Sequence, residues 1–414
     1  MAALSPEVAA VSSAAPWLAI VGIGEDGRAG LSPAASAALD GAGLVIGGRR
    51  HLELAGPLSA ETLAWPSPLS DAYPTILARR GQPTCVLATG DPFHYGVGAE
   101  LARLVPAEEI AAYPQASAFS LAAARLGWPL AEVACLTLHG RALERVIPHL
   151  QPGARLLVLT WDGSTPEKLA ALLTARGFPR SRLTVLEAMG GPRERRRSAL
   201  AADFSQDGID PLNTVAIEVV AEPDARVIPL APGLDDAWFE TDGQLTKAEI
   251  RAVTLAALRP RAGQVLWDVG AGSGSISIEW CLRHPANRAI AIEAREDRAG
   301  RIRRNALALG VPDLRVVVGR APDGLAGLPA PDTAFIGGGV SDPALVAAVL
   351  AALPTGGRLV ANAVTLESEA LLLRMHAEQG GTLRRLSVAR AEPVGHLTGW
   401  RMAMPVTQWA LAKP

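Results

Sequence analysis

Short apolar runs alternate with helical patterns along two long stretches of the chain. Most runs are bounded by Gly, Pro or Asp, which is typical of strands buried in a sheet. In the first stretch, from about Trp17 to Ala221, strands are predicted at Trp17–Ile23, Gly43–Ile46, Thr84–Ala88, Arg155–Thr160, Leu183–Glu187 and Thr214–Val220. Helical patterns such as Ser117–Leu126 and Pro166–Arg176 lie between them. This alternation predicts an α/β fold.

The second stretch repeats the alternation. Its strands are predicted at Val265–Val269, Ala289–Glu293, Leu314–Val318, Thr333–Ile336 and Arg358–Ala361, which indicates a parallel sheet covered by helices on both faces. A helix to about Leu258 is predicted to begin at a capping box, in which Thr246 and Glu249 bond each other's free amides. From Thr382 to Leu411 strand patterns continue without helices, so the sheet is predicted to finish with antiparallel strands.

Composition sets the domain boundaries. Residues 222–235 are polar and contain Pro and Asp, which indicates a linker between domains at 17–221 and 236–414. Residues 1–16 are rich in Ala and Ser and lack Lys and Arg, so they are predicted to be a disordered leader rather than a signal peptide.

Charge and cysteine usage exclude several classes of protein. The net charge of −2 argues against non-specific nucleic-acid binding. The longest near-apolar run, Pro343 to Pro354, is too short to span a membrane. Cys85, Cys135 and Cys281 are sparse and odd in number, which is typical of the reducing cytoplasm. Histidine and cysteine show no metal-ligand spacing, so no metal is expected.

A glycine-rich turn follows the strand Val265–Val269. The loop Gly270-Ala271-Gly272-Ser273-Gly274 precedes a helix, and Glu293 ends the next strand. Such glycines let a ligand approach the main chain, and an acid at that place can accept hydrogen bonds from both ribose hydroxyls. A nucleoside site is therefore expected at the carboxyl ends of the strands. The alternative is a turn that needs glycine only for a positive φ.

The loop departs from the dinucleotide fingerprint G-x-G-x-x-G, because Ser275 and Ser277 stand where a third glycine belongs. It resembles the first motif of the S-adenosylmethionine-dependent methyltransferases with a Rossmann-like sheet. The resemblance implies cofactor contacts at Thr246, Gly270, Ala271, Gly272, Ser273, Gly274, Glu293 and Ala321, and substrate contacts at Gly337, Gly338 and Asn362. Thr246 and Asn362 also fit helix caps, and Gly337 to Gly339 fits a flexible turn.

The first half does contain G-x-G-x-x-G, at Gly22, Gly24 and Gly27. A pyrophosphate needs a helix directly behind such a loop, whereas the next helix is predicted only at about Ser32-Pro33. Arg49 and Arg50 end the second strand and fit a 2′-phosphate. An NADP-dependent oxidoreductase fused to a methyltransferase is therefore the alternative for this half. Outside catalysis, the alternative is a binding protein with two inactive nucleoside folds.

Two further motifs in the first half favour a different interpretation from a dinucleotide site. Gly90-Asp91-Pro92-Phe93 follows the strand Thr84–Ala88, and Pro114-Gln115-Ala116-Ser117-Ala118-Phe119 leads into a helix. With the opening loop they resemble the tetrapyrrole methylase family, whose two-lobed α/β enzymes hold S-adenosylmethionine between the lobes. The resemblance implies cofactor contacts at Gly22, Gly24, Gly90, Asp91, Pro92, Ser117, Ala118 and Met189, and a substrate contact at His94. His94 also fits a structural polar role, and Arg193–Arg197 fits either a solvated loop or a grip on carboxylates.

The two halves together resemble a fused, decarboxylating methyltransferase family of cobalamin (corrin) biosynthesis. This resemblance implies two S-adenosylmethionine sites per chain and a small-molecule tetrapyrrole substrate. The first half would methylate carbon 5 of a precorrin-6 macrocycle. The second would methylate carbon 15 and decarboxylate the carbon 12 acetate to give precorrin-8. Both families suggest a homo-oligomer. A sulfonium methyl group is already electrophilic, so alignment and exclusion of water suffice and no catalytic residue is assigned.

Overall fold

The computed structural model describes residues 16–414. The predicted leader lies outside the described residues, except for Pro16. The described chain divides into two compact units: one comprises the residues up to Arg141 and Pro152–Ala225, the other Ala142–Gln151 and Arg226–Pro414. Residues 226–235, predicted as linker, belong to the second unit, where Ile228 and Leu234 are buried.

The first lobe of the first unit is a parallel five-stranded sheet with the order β3-β2-β4-β1-β5. Its strands are β1 Leu18–Ile23, β2 Leu44–Gly47, β3 Glu61–Ala64, β4 Thr84–Thr89 and β5 Ile110–Tyr113. Its helices are α1 Pro33–Asp40, α2 Arg49–Leu54, α3 Tyr73–Ala78 and α4 Gly98–Leu101. The central strands are continuous apolar runs because both faces of the sheet are covered. The delayed helix is confirmed, since the Ser32 hydroxyl caps α1 by accepting from Ala35 N.

The second lobe is a five-stranded sheet with the order β6-β7-β10-β8-β9, in which only β6 and β7 are parallel. Its strands are β6 Val133–Thr137, β7 Arg155–Leu159, β8 Arg182–Glu187, β9 Arg195–Leu200 and β10 Asn213–Glu218. The helices α5 Ala118–Leu126 and α6 Thr165–Ala175 complete the lobe. The two-lobed α/β fold expected for the first half is thereby confirmed.

The second unit is a seven-stranded sheet with the order β13-β12-β11-β14-β15-β19-β16. Its strands are β11 Val265–Val269, β12 Arg288–Glu293, β13 Arg315–Val318, β14 Thr333–Ile336, β15 Arg358–Ala363, β16 Thr382–Leu386 and β19 Val406–Ala412. Its helices are α7 Ala248–Leu258, α8 Ser275–Leu282, α9 Glu296–Ala308, α10 Pro343–Ala352 and α11 Leu366–Gln379. The antiparallel finish is confirmed, because β19 runs antiparallel to both β15 and β16. A separate hairpin pairs β17 Ala389–Val394 with β18 Leu397–Met402.

The capping box predicted at Thr246 is wrong. Helix α7 begins at Ala248 with Lys247 as its cap, and no side chain caps it. Two competing contacts explain the difference: the buried Arg251 guanidinium holds the Thr246 carbonyl, and the Glu249 carboxylate pairs with Arg390 at 2.6 Å.

The basic run Arg193–Arg197 is a loop only in its first two residues, because β9 begins at Arg195. The reason is the Glu187 carboxylate at the end of β8, which is 1% exposed. It accepts hydrogen bonds from Arg195 at 2.7 Å, Arg197 at 2.9 Å and the Asp210 N–H at 2.7 Å. Two guanidinium groups therefore serve a buried internal carboxylate rather than a ligand.

Glu187 should make the first unit sensitive to acid. Burial alone would raise the pKa of Glu187, but the hydrogen bonds from Arg195 and Arg197 outweigh it and hold the pKa at about 2. Because this pKa is depressed in the folded state, the ionised carboxylate stabilises the fold above the ordinary value near 4.5. We expect Glu187→Gln to lower the unfolding free energy by about 3 kcal/mol at neutral pH.

The measurement is denaturant unfolding of wild type and Glu187→Gln from pH 7 to pH 2. The difference should shrink as the pH falls from about 4.5 to about 2. Glu61→Gln is the matched control, because Glu61 pairs with Arg79 while its side chain is 70% exposed. A pH-independent difference for Glu187→Gln would contradict the prediction.

Candidate functional site

The second unit contains a cavity of about 760 Å³ at the carboxyl ends of its parallel strands. The ends of β11, β12, β14 and β15 all contribute, as expected for a ligand site in an open α/β sheet. The cavity brings together residues predicted from separate parts of the sequence: Thr246, Gly270, Ala271, Gly272, Ser273, Glu293, Ala321, Gly337, Gly338 and Asn362. Gly274 is absent from the wall; a Cβ at this position would meet Ile302 of α9 at 2.7 Å.

The glycine loop between β11 and α8 has a left-handed backbone at three positions. Gly270, Gly272 and Gly274 have φ of +71°, +60° and +77°. The turn therefore does need glycine for its conformation. Gly270 has a second reason: a Cβ there would lie 2.7 Å from Gly338 N, so two cavity-lining loops meet without side chains between them.

Glu293 is hydrogen-bonded to the same glycine loop. The carboxylate is 5% exposed and accepts from Gly272 N at 2.9 Å and from Arg295 N at 3.1 Å. Each oxygen has thereby accepted one amide and keeps a lone pair for a further donor. At the end of β12, facing the cavity, the carboxylate can accept hydrogen bonds from a vicinal pair of hydroxyls.

Asp268 is a cavity residue that the sequence reasoning missed. It lies in β11, two residues before Gly270, and is fully buried. One carboxylate oxygen accepts from Ser277 N at 3.0 Å and Ser277 Oγ at 2.6 Å, while the other, Oδ1, has no partner. Burial raises the pKa of Asp268 to about 6, despite the Ser277 hydrogen bonds. Its position in the sequence, just before the glycine loop, could have marked Asp268 as a candidate cavity residue.

The far wall of the cavity carries a polar network. Asn362 lies in β15, donates to Thr254 Oγ1 at 3.0 Å and accepts from Gln408 Nε2 at 3.0 Å. Asn362 is not a helix cap, because α11 is capped by Thr365. The tail also contributes to the wall, through Arg390 and Met404, and no local sequence signal marked them.

A second glycine-lined site lies in the first unit, where three segments cross. A Cβ on Gly22 would lie 1.8 Å from Gly90 O, and one on Gly90 would lie 2.7 Å from Ala116 O. Gln115 N donates to Gly90 O at 3.1 Å, and Ser117, which is buried, caps α5 beside Ala118. Main chain from both predicted motifs therefore meets the opening loop at the carboxyl end of β1.

Three further predicted residues of the first unit, Asp91, Pro92 and His94, follow Gly90 in the sequence. Asp91 Oδ1 accepts from Phe93 N at 2.9 Å, and Pro92 is buried behind that turn. His94 is exposed and lies tilted against the Phe119 ring, with the two ring centroids 4.6 Å apart.

For two predicted cofactor contacts the structure gives surroundings within the protein. A Cβ on Gly24 would meet only the Asp26 side chain. Met189 is 8% exposed and packs in the core of the second lobe with Phe119, so most of its surface faces protein.

Of Arg49 and Arg50, the two residues considered for binding a 2′-phosphate, Arg50 already has partners within the protein. Arg50 is ion-paired with Glu25 and donates to Thr89 Oγ1 at 3.0 Å, and Glu25 also lies 3.4 Å from Arg193. Among residues 16–414, no group of three or more His, Cys, Asp or Glu side chains could hold a metal ion. Within the same range, no helix is long and apolar enough to cross a membrane.

Family comparisons match both units separately. Residues 18–204 match the family of Tetrapyrrole (Corrin/Porphyrin) Methylases, and residues 237–413 match the Precorrin methyltransferase domain. Fold and site thus define a fused α/β methyltransferase, a class that uses S-adenosylmethionine. A Sinorhizobium sp relative named precorrin-6Y C(5,15)-methyltransferase [decarboxylating] is 55% identical over 399 residues, covering 96% of this chain and 97% of that protein. The chain belongs to the precorrin-6Y C(5,15)-methyltransferase (decarboxylating) family.

Two relatives align with less than half of the chain. A probable cobalt-precorrin-6B C(15)-methyltransferase (decarboxylating) from Pyrobaculum calidifontis is 39% identical over 182 residues, 42% of this chain and 93% of that protein. A cobalt-precorrin-7 C(5)-methyltransferase from Salmonella typhimurium is 29% identical over 196 residues, 46% of this chain and 96% of that protein. The comparisons give no support to the oxidoreductase alternative.

Proposed function

We propose that the chain performs two methylations and one decarboxylation on a precorrin-6 macrocycle, each unit with its own S-adenosylmethionine site. The first of the two domains predicted from the sequence, 17–221, methylates carbon 5. The second, 236–414, methylates carbon 15 and removes carbon dioxide from the carbon 12 acetate, giving precorrin-8. The observation that carries the proposal is a cavity lined by Gly270, Glu293 and Asp268, where Asp268 has a buried carboxylate oxygen without a hydrogen-bond partner.

The residues of this cavity fit S-adenosylmethionine. Glu293 keeps acceptor capacity for the two ribose hydroxyls, and the left-handed glycines expose the main chain to the ligand. The unpartnered Asp268 oxygen is a buried acceptor in need of a donor, which an ammonium group provides. When bound, the sulfonium supplies an electrophilic methyl group.

The chain's own contribution is alignment and exclusion of water, which can amount to about 7–11 kcal/mol of the barrier. The two glycine-lined loops at Gly270 and Gly338 let the reacting partners approach each other closely. Decarboxylation breaks the bond between the acetate methylene and its carboxyl carbon. The released electron pair delocalises through the conjugated ring to the neighbouring carbon 15, which takes up the methyl group. Carbon 15 then loses its proton and the former acetate methylene gains one to become a methyl group, so the two steps together consume no net proton.

The assignment of one methylation to each unit is supported by the names of two relatives that each cover less than half of the chain. One is named for carbon 15 methylation with decarboxylation, the other for carbon 5 methylation. Each function therefore exists in a protein about as long as one unit. The family matches, at 237–413 and 18–204, support assigning carbon 15 to the second unit and carbon 5 to the first.

Isothermal titration of the full chain with S-adenosylmethionine tests the two-site proposal. We expect two donor molecules per polypeptide, and one in Glu293→Ala, because that substitution removes the acceptors for ribose. Carbon-13 methyl transfer to precorrin-6Y should label carbons 5 and 15 in wild type and only carbon 5 in Glu293→Ala. A wild-type count of one, or carbon dioxide release that persists when only the first site works, would overturn the proposal.

Asp268 should make donor binding at the second site pH-dependent. Its pKa of about 6 means that the carboxyl is neutral below that pH and ionised above it. Only the ionised form attracts an ammonium group, so affinity at the second site should rise between pH 5 and pH 7 and then level off. Asp268→Asn should bind more weakly at pH 7 and lose this pH dependence. The same slope in Asp268→Asn would contradict the prediction.

We further propose that the protein works in the cytoplasm and self-associates. All three cysteines are free thiols, which suits a reducing compartment. Symmetric homo-oligomers are common among soluble enzymes. Light scattering coupled to size-exclusion chromatography tests self-association: we expect a mass at least twice the 43.0 kDa of one chain, and a mass of 43.0 kDa would contradict the proposal.

A further inference from the structure

Three consecutive ring side chains lie exposed directly after the Gly90-Asp91-Pro92 turn of the first unit. Phe93 is 46% exposed and Tyr95 is 50% exposed, with His94 exposed between them. Exposed rings that cluster on a loop beside a binding cleft are a mark of recognition rather than of packing. Tyr95 is also edge-on to Phe119 of α5, at 6.0 Å between centroids.

Tyr95 has a backbone conformation that a tyrosine rarely adopts. Its φ is +62°, in the left-handed region that favours glycine. The Tyr95 hydroxyl donates to Cys135 O in β6 at 3.1 Å, so a residue from the loop after β4 reaches the sheet of the second lobe. A strained residue with a half-exposed ring is costly for the fold, and such strain concentrates at functional positions.

Arg141 adds a positive charge to this ring cluster. Its guanidinium carbon lies 5.8 Å from the centroid of the Tyr95 ring, and the residue is exposed. Within the described part of the chain no carboxylate pairs with it, whereas Arg193, Arg195 and Arg197 of the same unit are all ion-paired. Arg141 therefore retains its donors for an acid outside the protein.

We propose that His94, Tyr95 and Arg141 form the surface that receives the macrocycle for carbon 5 methylation. The rings of His94 and Tyr95, stacked with centroids 5.3 Å apart, contact the flat conjugated face, and Arg141 pairs with a carboxylate on the ring periphery. This inference rests on the proposed function and adds the residues that select the substrate. It explains why the fold tolerates a left-handed tyrosine beside the cofactor crossing.

The test uses the full chain and measures carbon 5 and carbon 15 methylation of precorrin-6Y separately by carbon-13 labelling. Tyr95→Gly removes the ring and its hydrogen bond to Cys135 O but suits the left-handed backbone, so the relieved strain should offset the lost contacts and the unfolding midpoint should change little. We expect it, and Arg141→Gln, to raise the KM for carbon 5 methylation by about tenfold or more. Tyr95→Phe keeps the ring and should change that KM by less than about threefold.

Arg155→Gln is the matched control. Arg155 also lies over an aromatic ring, with its guanidinium carbon 5.2 Å from the Trp128 centroid, but it is remote in sequence from the ring cluster. It should leave carbon 5 kinetics unchanged, and carbon 15 methylation should stay at the wild-type rate in every variant. Wild-type KM in Tyr95→Gly and Arg141→Gln would overturn the inference, as would an equal loss of both methylations with a lower unfolding midpoint. A wild-type chain that never labels carbon 5 would instead overturn the proposed function itself, and this inference with it.

Discussion

Gly22→Ala is expected to abolish carbon 5 methylation while carbon 15 methylation continues at the wild-type rate. A Cβ at position 22 would lie 1.8 Å from Gly90 O and 2.8 Å from Gln115 N, both of them backbone atoms. The crossing of the three segments must therefore open. Because a displacement of about 1 Å can cost a hundredfold in rate, we expect at least about a hundredfold loss at carbon 5.

Gly24→Ala separates this effect from a general intolerance of the loop. The Cβ at position 24 would approach only the Asp26 carboxylate, at 2.6 Å, and that side chain can rotate away. Carbon 5 methylation should then stay within about threefold of wild type. Labelling of both carbons by carbon-13 methyl transfer reports the two activities in one reaction. Near-normal carbon 5 labelling in Gly22→Ala would show that the crossing is not the first donor site.

The central strands of both units could be predicted from the sequence because burial on both faces makes them continuous apolar runs. Val265–Val269 and Thr333–Ile336 were predicted with the bounds that the structure has. The edge strand β9 was missed because its sequence, RRRSAL, is basic. Its partner is the single buried carboxylate of Glu187 on the neighbouring strand, and no local pattern shows that pairing.

In the candidate sites, too, residues close together in sequence could be predicted, whereas contacts between distant segments could not. The glycine loop and Glu293 were found because their spacing is fixed by one strand-helix-strand unit. The special position of Tyr95 could not be predicted, since its positive φ and its hydrogen bond to Cys135 appear only in the folded chain. The residue roles themselves stay predictions until the variants described above are measured.

Breaking the Arg251–Glu279 ion pair should have the largest effect on stability in the second unit. Both side chains are fully buried, with Arg251 Nε 2.7 Å from Glu279 Oε1, and Arg251 also donates to Asp236 at 2.8 Å. Its guanidinium carbon lies 4.7 Å from the centroid of the Phe239 ring. Because removal of one partner leaves the other charge buried without compensation, we expect Arg251→Ala to cost about 3–5 kcal/mol of unfolding free energy.

The Arg251→Ala substitution should also disturb the cavity of the second unit. Glu279 accepts from Gly233 N at 2.6 Å and Leu234 N at 3.0 Å, and Arg251 holds the Thr246 carbonyl at the cavity wall. Hydrogen exchange at Gly233 and Leu234 should therefore accelerate in Arg251→Ala, with weaker donor binding at the second site and unchanged carbon 5 methylation.

Arg304→Ala is the control for the Arg251 prediction. Arg304 makes a bidentate pair with Glu240, at 2.8 and 2.6 Å, but both side chains are at least half exposed. An exposed pair of that geometry contributes less than about 1 kcal/mol, because water screens the attraction. Calorimetric unfolding of the two variants compares the same chemistry in buried and exposed positions. Equal, small losses of unfolding free energy in the two variants would contradict the prediction. They would mean that the ion pair of Arg251 and Glu279 does not hold the chain segment before α7 in place.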